Sequence, residues 1–357
     1  MAEMTGLERA LCYLHGERPD KIPIWHQSVD LARELAGVSM REFAFDAEKI
    51  ALGHIRYVER YKVDISGVNT DMWWMFEPFG VEVYITDQFI FPKKTLADRN
   101  RPNPRIYEEL EYRDPFAGKR AQIVLKACHI VSEEIGDKVL LRHGWYGPVA
   151  NLGLIVGVKE ALRDAILFPE AVLKAVERVM VDWTVDFVVG FCEAMKPNLT
   201  NVCWAMSTFD RELLPAEFRE EVARFELEVF ERIRDKLGRH LPVTTHLCGP
   251  RPDLDFVVEK FGDHLNELQF WWPGSDYPLE EAVEKFGHGF PIMAGIDHTQ
   301  VMLMGSPEEV EAMVKASTEI AKDKCSFALG PGCELGLGTP EENILALVEA
   351  RDKYGVY

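Results

Sequence analysis

The chain has 357 residues, 47% of them hydrophobic and 28% charged, with a formal net charge of −19. A chain of this size can bury a large core and falls within the range of one α/β barrel. No apolar run approaches the roughly 18 residues of a membrane span, and the acidity opposes binding to nucleic acid or anionic membranes. No basic-then-apolar leader opens the sequence, and the seven cysteines are irregularly spaced, so a reducing cytoplasm is the expected compartment.

Residues 5–16 read as a short amphipathic helix, and Ile22-Pro23-Ile24-Trp25-His26 as a first strand in which Pro23 demands a strand-start position. Helical spacing over 29–37 and 46–62 precedes a second strand, 63–68, with Asn69 and Trp73 just beyond its end. The stretch 70–114 is the least regular, and 80–86 with 88–91 suggests a hairpin inside a cap over the barrel mouth. From Pro115 helices and strands alternate. Helices at 117–135, 151–166, 169–195, 215–237, 253–261, 278–286, 306–321 and 340–353 surround strands at 139–145, 199–204, 242–248, 265–270, 291–295 and 326–329. The last helix is expected to open with Thr339 as cap, Pro340 in its first turn and Glu342 as capping-box partner. With the two early strands this makes eight. The pattern predicts a single-domain (β/α)8 TIM barrel over residues 1–357, with an N-terminal helical segment over 1–20 and a hairpin-containing insertion after the second strand.

In such a barrel the chemistry lies at the C-terminal strand ends. The fifth predicted strand ends in His246-Leu247-Cys248-Gly249; residues two apart share a face, with Cα atoms about 6–7 Å apart. Cys333 follows the eighth strand in Gly330-Pro331-Gly332-Cys333. One imidazole and two thiolates make a soft, three-donor set that suits zinc and leaves one position open to exchange. Glu267 and Gln269 share a face of the neighbouring sixth strand, and Glu267 is the preferred exchangeable fourth ligand; Asp297 and His298 are weaker candidates. The catalytic and metal-binding set is therefore His246, Cys248, Cys333 and Glu267. Seven of the eight tryptophans fall at or after strand ends, which suggests an aromatic-walled pocket. Trp25, His26, Asn69, Trp73, His143, Trp204 and Trp271 form the candidate substrate-binding set.

His246-x-Cys248, Gly330-Pro331-Gly332-Cys333 and Gly338-Thr339-Pro340-Glu341-Glu342-Asn343 together resemble the zinc signature of the methyltransferase branch of the uroporphyrinogen decarboxylase superfamily. Gly16-Glu17-Arg18-Pro19-Asp20-Lys21-Ile22-Pro23-Ile24-Trp25 is similar to that family's entry into its first strand, and Gly295-Ile296-Asp297 to the end of its seventh. The resemblance implies Zn2+ at the site and a cobalamin carried by a separate corrinoid protein, since no cobalamin-binding module is evident in this chain. A small-molecule methyl donor or acceptor is the other implied partner, and a homodimer is compatible with the sequence.

Within that superfamily, decarboxylases carry an Arg-rich stretch after the first strand, where this chain has Trp25-His26-Gln27-Ser28-Val29-Asp30, so decarboxylation is the least favoured reading. A small sulfonated thiol calls for a convergent Arg or Lys, and Arg142 is the one obvious strand-end cation. The tryptophans favour an aromatic methyl ether. Demethylation of such an ether onto the corrinoid protein is the preferred expectation, and methyl transfer to a thiol such as coenzyme M the alternative.

Overall fold

The computed structural model describes residues 3–97, 101–195 and 200–357. Its strands, in chain order, are β1 (Ile65–Ser66), β2 (Glu82–Ile85), β3 (Ile90–Lys94), β4 (Leu140–Tyr146), β5 (Thr200–Ala205), β6 (Val243–His246), β7 (Leu268–Gln269), β8 (Ile292–Ile296) and β9 (Phe327–Pro331). One parallel arc runs β1-β4-β5-β6 and another β7-β8-β9. Isolated parallel bridges join the arcs, Thr244 with Glu267 and Leu247 with Phe270 on one side, Ile24 with Leu329 and Trp25 with Ile65 on the other. Residues 24 and 25 thereby supply the eighth position of the ring, and the architecture is the expected TIM barrel. Pro23 contributes only its carbonyl there, accepting from Leu329 N, so its missing N–H costs nothing.

The helix Gly6–Leu14 begins in a capping box between Thr5 and Glu8 and crosses the N-terminal end of the barrel. Ala10 and Tyr13 on it pack with Trp25, Ile65, Leu140, Cys203, Met293 and Ala328, an inner core enclosed by the strands. A second, larger core fills the space between strands and surrounding helices. Asp64 ties the two ends of the chain to the ring. It accepts from Ile24 N, from Arg9 on the first helix and from Arg351 on the last, and all three side chains are buried.

Several elements differ from expectation. The predicted helix 151–166 is two helices, Pro148–Val156 and Val158–Leu167, broken at Gly157, whose φ of 114° excludes a helical continuation. The predicted helix 169–195 runs as Pro169–Ala175, a stretch of wider π turns over Val176–Met180, and Val181–Ala194. The last helix, Glu341–Tyr354, has Pro340 at its cap with no side-chain capping bond, because the Thr339 hydroxyl donates backward to the Gly336 carbonyl at 2.8 Å. Leu199, placed in a strand by sequence, lies outside the described residues.

The expected hairpin is present as antiparallel β2 and β3. The chain after it lies against the two helices that Gly157 separates. Leu96 N and Ala97 N donate to the carbonyls of Ile155 and Val156 at 3.0 and 3.1 Å, and the Tyr107 hydroxyl donates to buried Asp164 at 2.9 Å. Asp64→Ala is expected to lose about 3–5 kcal/mol of stability, since it removes the buried carboxylate shared by two guanidiniums and leaves Arg9 with Asp20 and Arg351 with Asp352 alone; urea unfolding of the variant against the parent chain measures this.

Candidate functional site

Strand alternation and register decide what reaches the barrel axis. On β4, Arg142 points inward, where it donates to Asn201, Glu267 and the Met293 sulfur. Residues of the same parity, Gly144 and Tyr146, follow toward the mouth. Across the ladder Tyr146 pairs with Ala205, and Ala205 with His246, so these three stand at one level near the mouth. Cys248 lies just past β6 and Cys333 just past β9. The candidate donor atoms of His246, Cys248 and Cys333 all lie within 4.8 Å of one another, and each side chain is half-buried.

The neighbouring residues orient this cluster. Gln269 Oε1 lies 2.7 Å from His246 Nδ1, and its amide nitrogen donates to the Pro331 carbonyl. That carbonyl fixes which end of the amide faces the imidazole: Oε1 accepts from Nδ1–H, which leaves the lone pair of Nε2 available to an ion. Ser207 Oγ lies 3.0 Å from the Cys248 sulfur. An oriented imidazole with two thiols is a donor set that fits zinc, and the three described donors fall one short of a saturated structural site. The groups share protons among themselves. The hydrogen bond from Cys333 holds the Cys248 thiol well below its usual range, against burial and with help from His246. The same bond, with burial, pushes Cys333 up. Burial opposes charge on His246, but the sulfurs of Cys203 and Cys248 outweigh it and hold the imidazole well above its ordinary value. A bound cation would take the place of these protons.

Glu267 does not join the cluster. It faces the axis as expected, but two residues, about 6–7 Å along the strand, below Gln269. There it is wholly buried and its oxygens accept from Tyr13, Arg142 and Thr244. The level was misjudged, not the face. Asp297 is likewise occupied, accepting from Thr299 and Gln300 within its own turn, and the His298 ring packs against Trp271 at 5.0 Å.

Above the cluster opens a cavity of about 380 Å³. Trp25, Asn69 and His143 of the expected substrate set lie on its wall, together with Trp74, Trp145 and Tyr146. Arg142 lies over the Trp25 ring at 5.5 Å, and burial lowers the pKa of His143 to about 4, which keeps this imidazole neutral. The other four residues of the set are not on the wall. His26 points the opposite way from Trp25 along its strand, hydrogen-bonded to the Tyr57 hydroxyl at 2.6 Å. Trp73 packs at the edge of the larger core. Trp271 lies against Gly274 and Gly332. Trp204 turns outward, donating from Nε1 to Glu226 at 2.8 Å and packing on Phe230. Position at a strand end is readable from sequence, but the facing of one residue against the next is decided by register. Tyr146, Cys203 and Ser207 on the wall were missed; alternation from Arg142 and Ala205 carries the signal for the first two.

Glu226 deserves a test because burial raises its pKa to about 8, with the Trp204 N–H acting in the opposite direction. Its carboxyl lies so close to residue 147 that any side chain there would overlap it, hence Gly147. A raised carboxyl pKa means that the folded state keeps a proton the unfolded chain releases. The contribution is full below the ordinary value of 4.5 and is lost as the pH rises toward 8. Glu226→Gln, which retains an acceptor for Trp204, should remove that decline. Urea unfolding should find the variant more stable than the parent by about 1–4 kcal/mol above pH 8, with the gap closing toward pH 4.5.

A protein family described as uroporphyrinogen decarboxylase (URO-D) matches residues 5–354. The chain is 23% identical over 376 residues to the methylcobamide:CoM methyltransferase MtaA of Methanosarcina barkeri, with 99% of each covered. It is 24% identical over 365 residues to the methylcobamide:CoM methyltransferase MtbA of Methanosarcina acetivorans, again with 99% of each covered. Among solved structures, a methyltransferase from Methanosarcina mazei superposes with a TM-score of 0.79 at 20% identity, covering 99% of both chains. A B12-independent methionine synthase from Shewanella sp. W3-18-1 does so with a TM-score of 0.52 at 11% identity, covering 93% of this chain and 96% of that one. These structures share the barrel. With the family match running from Thr5 to Tyr354, this chain is a member of the uroporphyrinogen decarboxylase family.

Proposed function

We propose that the protein is a zinc-dependent methyltransferase that works with a separate corrinoid protein and transfers the methyl group to a thiol entering the cavity. The observation that carries this reading is the convergence of His246, Cys248 and Cys333 within 4.8 Å of one another at the floor of a cavity they help to line. These three would hold the ion, with Gln269 fixing the His246 ring and Ser207 the Cys248 sulfur. When bound, zinc supplies a cation that lowers the pKa of a thiol or takes up negative charge appearing on an oxygen. The aromatic wall limits water around the reacting group and orients it toward the mouth, where the corrinoid partner would dock.

The sequence alone favoured demethylation of an aromatic ether. The curated relatives are named for methyl transfer involving methylcobamide and CoM, which supports the thiol direction instead. The ether reading stays second because Trp25, Trp74 and Trp145 line the cavity. Decarboxylation rests on the family's name only, and the guanidinium on the wall, Arg142, is engaged by Glu267. No described helix is long and apolar enough to cross a membrane, which is compatible with a cytoplasmic location.

The purified protein is expected to carry about one zinc ion per chain. His246→Ala, Cys248→Ala and Cys333→Ala should each remove most of it while circular dichroism stays that of the folded barrel. Gln269→Ala should weaken zinc about 10–100-fold, and Glu267→Gln, which removes no ligand, should reduce zinc far less than any of the three ligand variants. Full zinc in all three ligand variants would defeat the metal assignment. Incubation with a methylated corrinoid protein and a panel of thiols should yield the methyl thioether. Phenol formed from methoxyarenes with reduced corrinoid protein, with no thioether from any thiol, would reverse the order of the two readings.

A further inference from the structure

The cavity wall has two unlike parts. Strand ends contribute the candidate ligands, the tryptophans and the polar groups. The remainder comes mainly from helices and their connections, Pro148–Val156, Val158–Leu167, Pro169–Ala175 and the segment from Leu213 to Phe218, and the side chains these place on the wall are apolar: Leu152, Leu154, Ala161, Leu162, Val172 and Phe218 are representative. The hairpin insertion holds this wall in place through Leu96, Ala97 and Tyr107. Among the described residues, Arg142 is the one Arg or Lys side chain on the whole wall; Asn201, Glu267 and Met293 take three of its five N–H donors, and the Glu267 carboxylate balances its charge. A short anionic thiol bound at the metal end would leave its anionic tail facing hydrocarbon, with no Arg or Lys free of a carboxylate partner to receive it among the described residues. A cavity of about 380 Å³ is instead of the size that encloses a ligand with a sizeable apolar body.

From this we propose that the helical part of the cavity is a binding chamber for an uncharged aryl or alkyl body, and that the protein's methyl acceptor or donor is an apolar thiol or methyl ether. The assignment rests on the methyl-transfer reading for the reacting end of the substrate, but the chamber itself does not depend on the metal.

Cobalt(II) in place of zinc gives a thiolate-to-metal absorption band from Cys248 and Cys333, and its growth as a third thiolate binds allows ethanethiol, 1-hexanethiol and 2-mercaptoethanesulfonate to be titrated. Butylbenzene, which has no metal-binding atom, reads the chamber alone by calorimetry. The expected result is that 1-hexanethiol binds at least about tenfold tighter than either short thiol, as several buried methylenes require. Butylbenzene should bind saturably, and Ala161→Phe should weaken both it and 1-hexanethiol at least about tenfold while ethanethiol is unaffected. A smaller advantage of 1-hexanethiol in the parent chain overturns the proposal, as does the absence of saturable butylbenzene binding. If no thiol adds to the band, the thiol-at-metal reading fails, and the butylbenzene titration of the parent chain alone decides the chamber.

Discussion

A guanidinium and a carboxylate buried inside the ring, Arg142 and Glu267, set the conditions for everything above them. Both are almost completely shielded from solvent, where an unpaired charge would be costly, so each must be met by fixed partners. Asn201, Thr244, Tyr13 and the Met293 sulfur supply them. These partners come from several strands and from the N-terminal helix, so the pair fixes the relative heights of the strands that carry them. The candidate ligands one layer higher inherit that height. The pair also engages the one Arg or Lys that the described residues place on the cavity wall, and the floor that organises the barrel thereby shapes the polarity of what can bind.

The parts of this arrangement that were legible in the sequence are those governed by local periodicity. His246 and Cys248 are two apart on a strand, and Gly330-Pro331-Gly332 ends another just before Cys333; both facts stand in the chain without knowledge of any neighbour. Glu267 was misplaced because its parity is correct and its level is not, and level depends on the stagger between strands, which no single strand encodes. The same reason accounts for Trp204 and His26. Each sits at a strand end, yet Trp204 faces a helix and His26 faces Tyr57. Helix breaks divide along similar lines. Gly157 was readable as a weak point in principle, but helical spacing on both sides of it, in an apolar stretch before and an amphipathic one after, concealed the turn that its positive φ makes.

The candidate site combines two chemistries that are usually kept apart. Its floor is soft and proton-sharing, with Cys248 depressed and Cys333 raised by the same contact, while the chamber beside it is hydrocarbon. Putting them in contact excludes water from the place where charge would develop, which strengthens each remaining electrostatic interaction. The cap insertion has a part in this. By pinning the helices on either side of Gly157, it keeps the apolar wall from closing onto the ligand cluster or parting from it.

The contacts of Asp64 carry a consequence for how this chain comes into being. Its bond to Arg351 spans 287 positions, and residues 24 and 25, which pair with nearby Ile65 on one side, meet their other neighbour only at Leu329. During synthesis the opening strand can therefore be paired on one side only, with Asp64 held by Ile24 N and Arg9, until almost the whole polypeptide has left the ribosome. Closing so long a loop is slow because the entropy is spent before the contact rewards it. In the interval the edges of the unfinished ring remain exposed, so a shortened chain that ends before β9 would be an aggregation-prone open sheet rather than a smaller barrel.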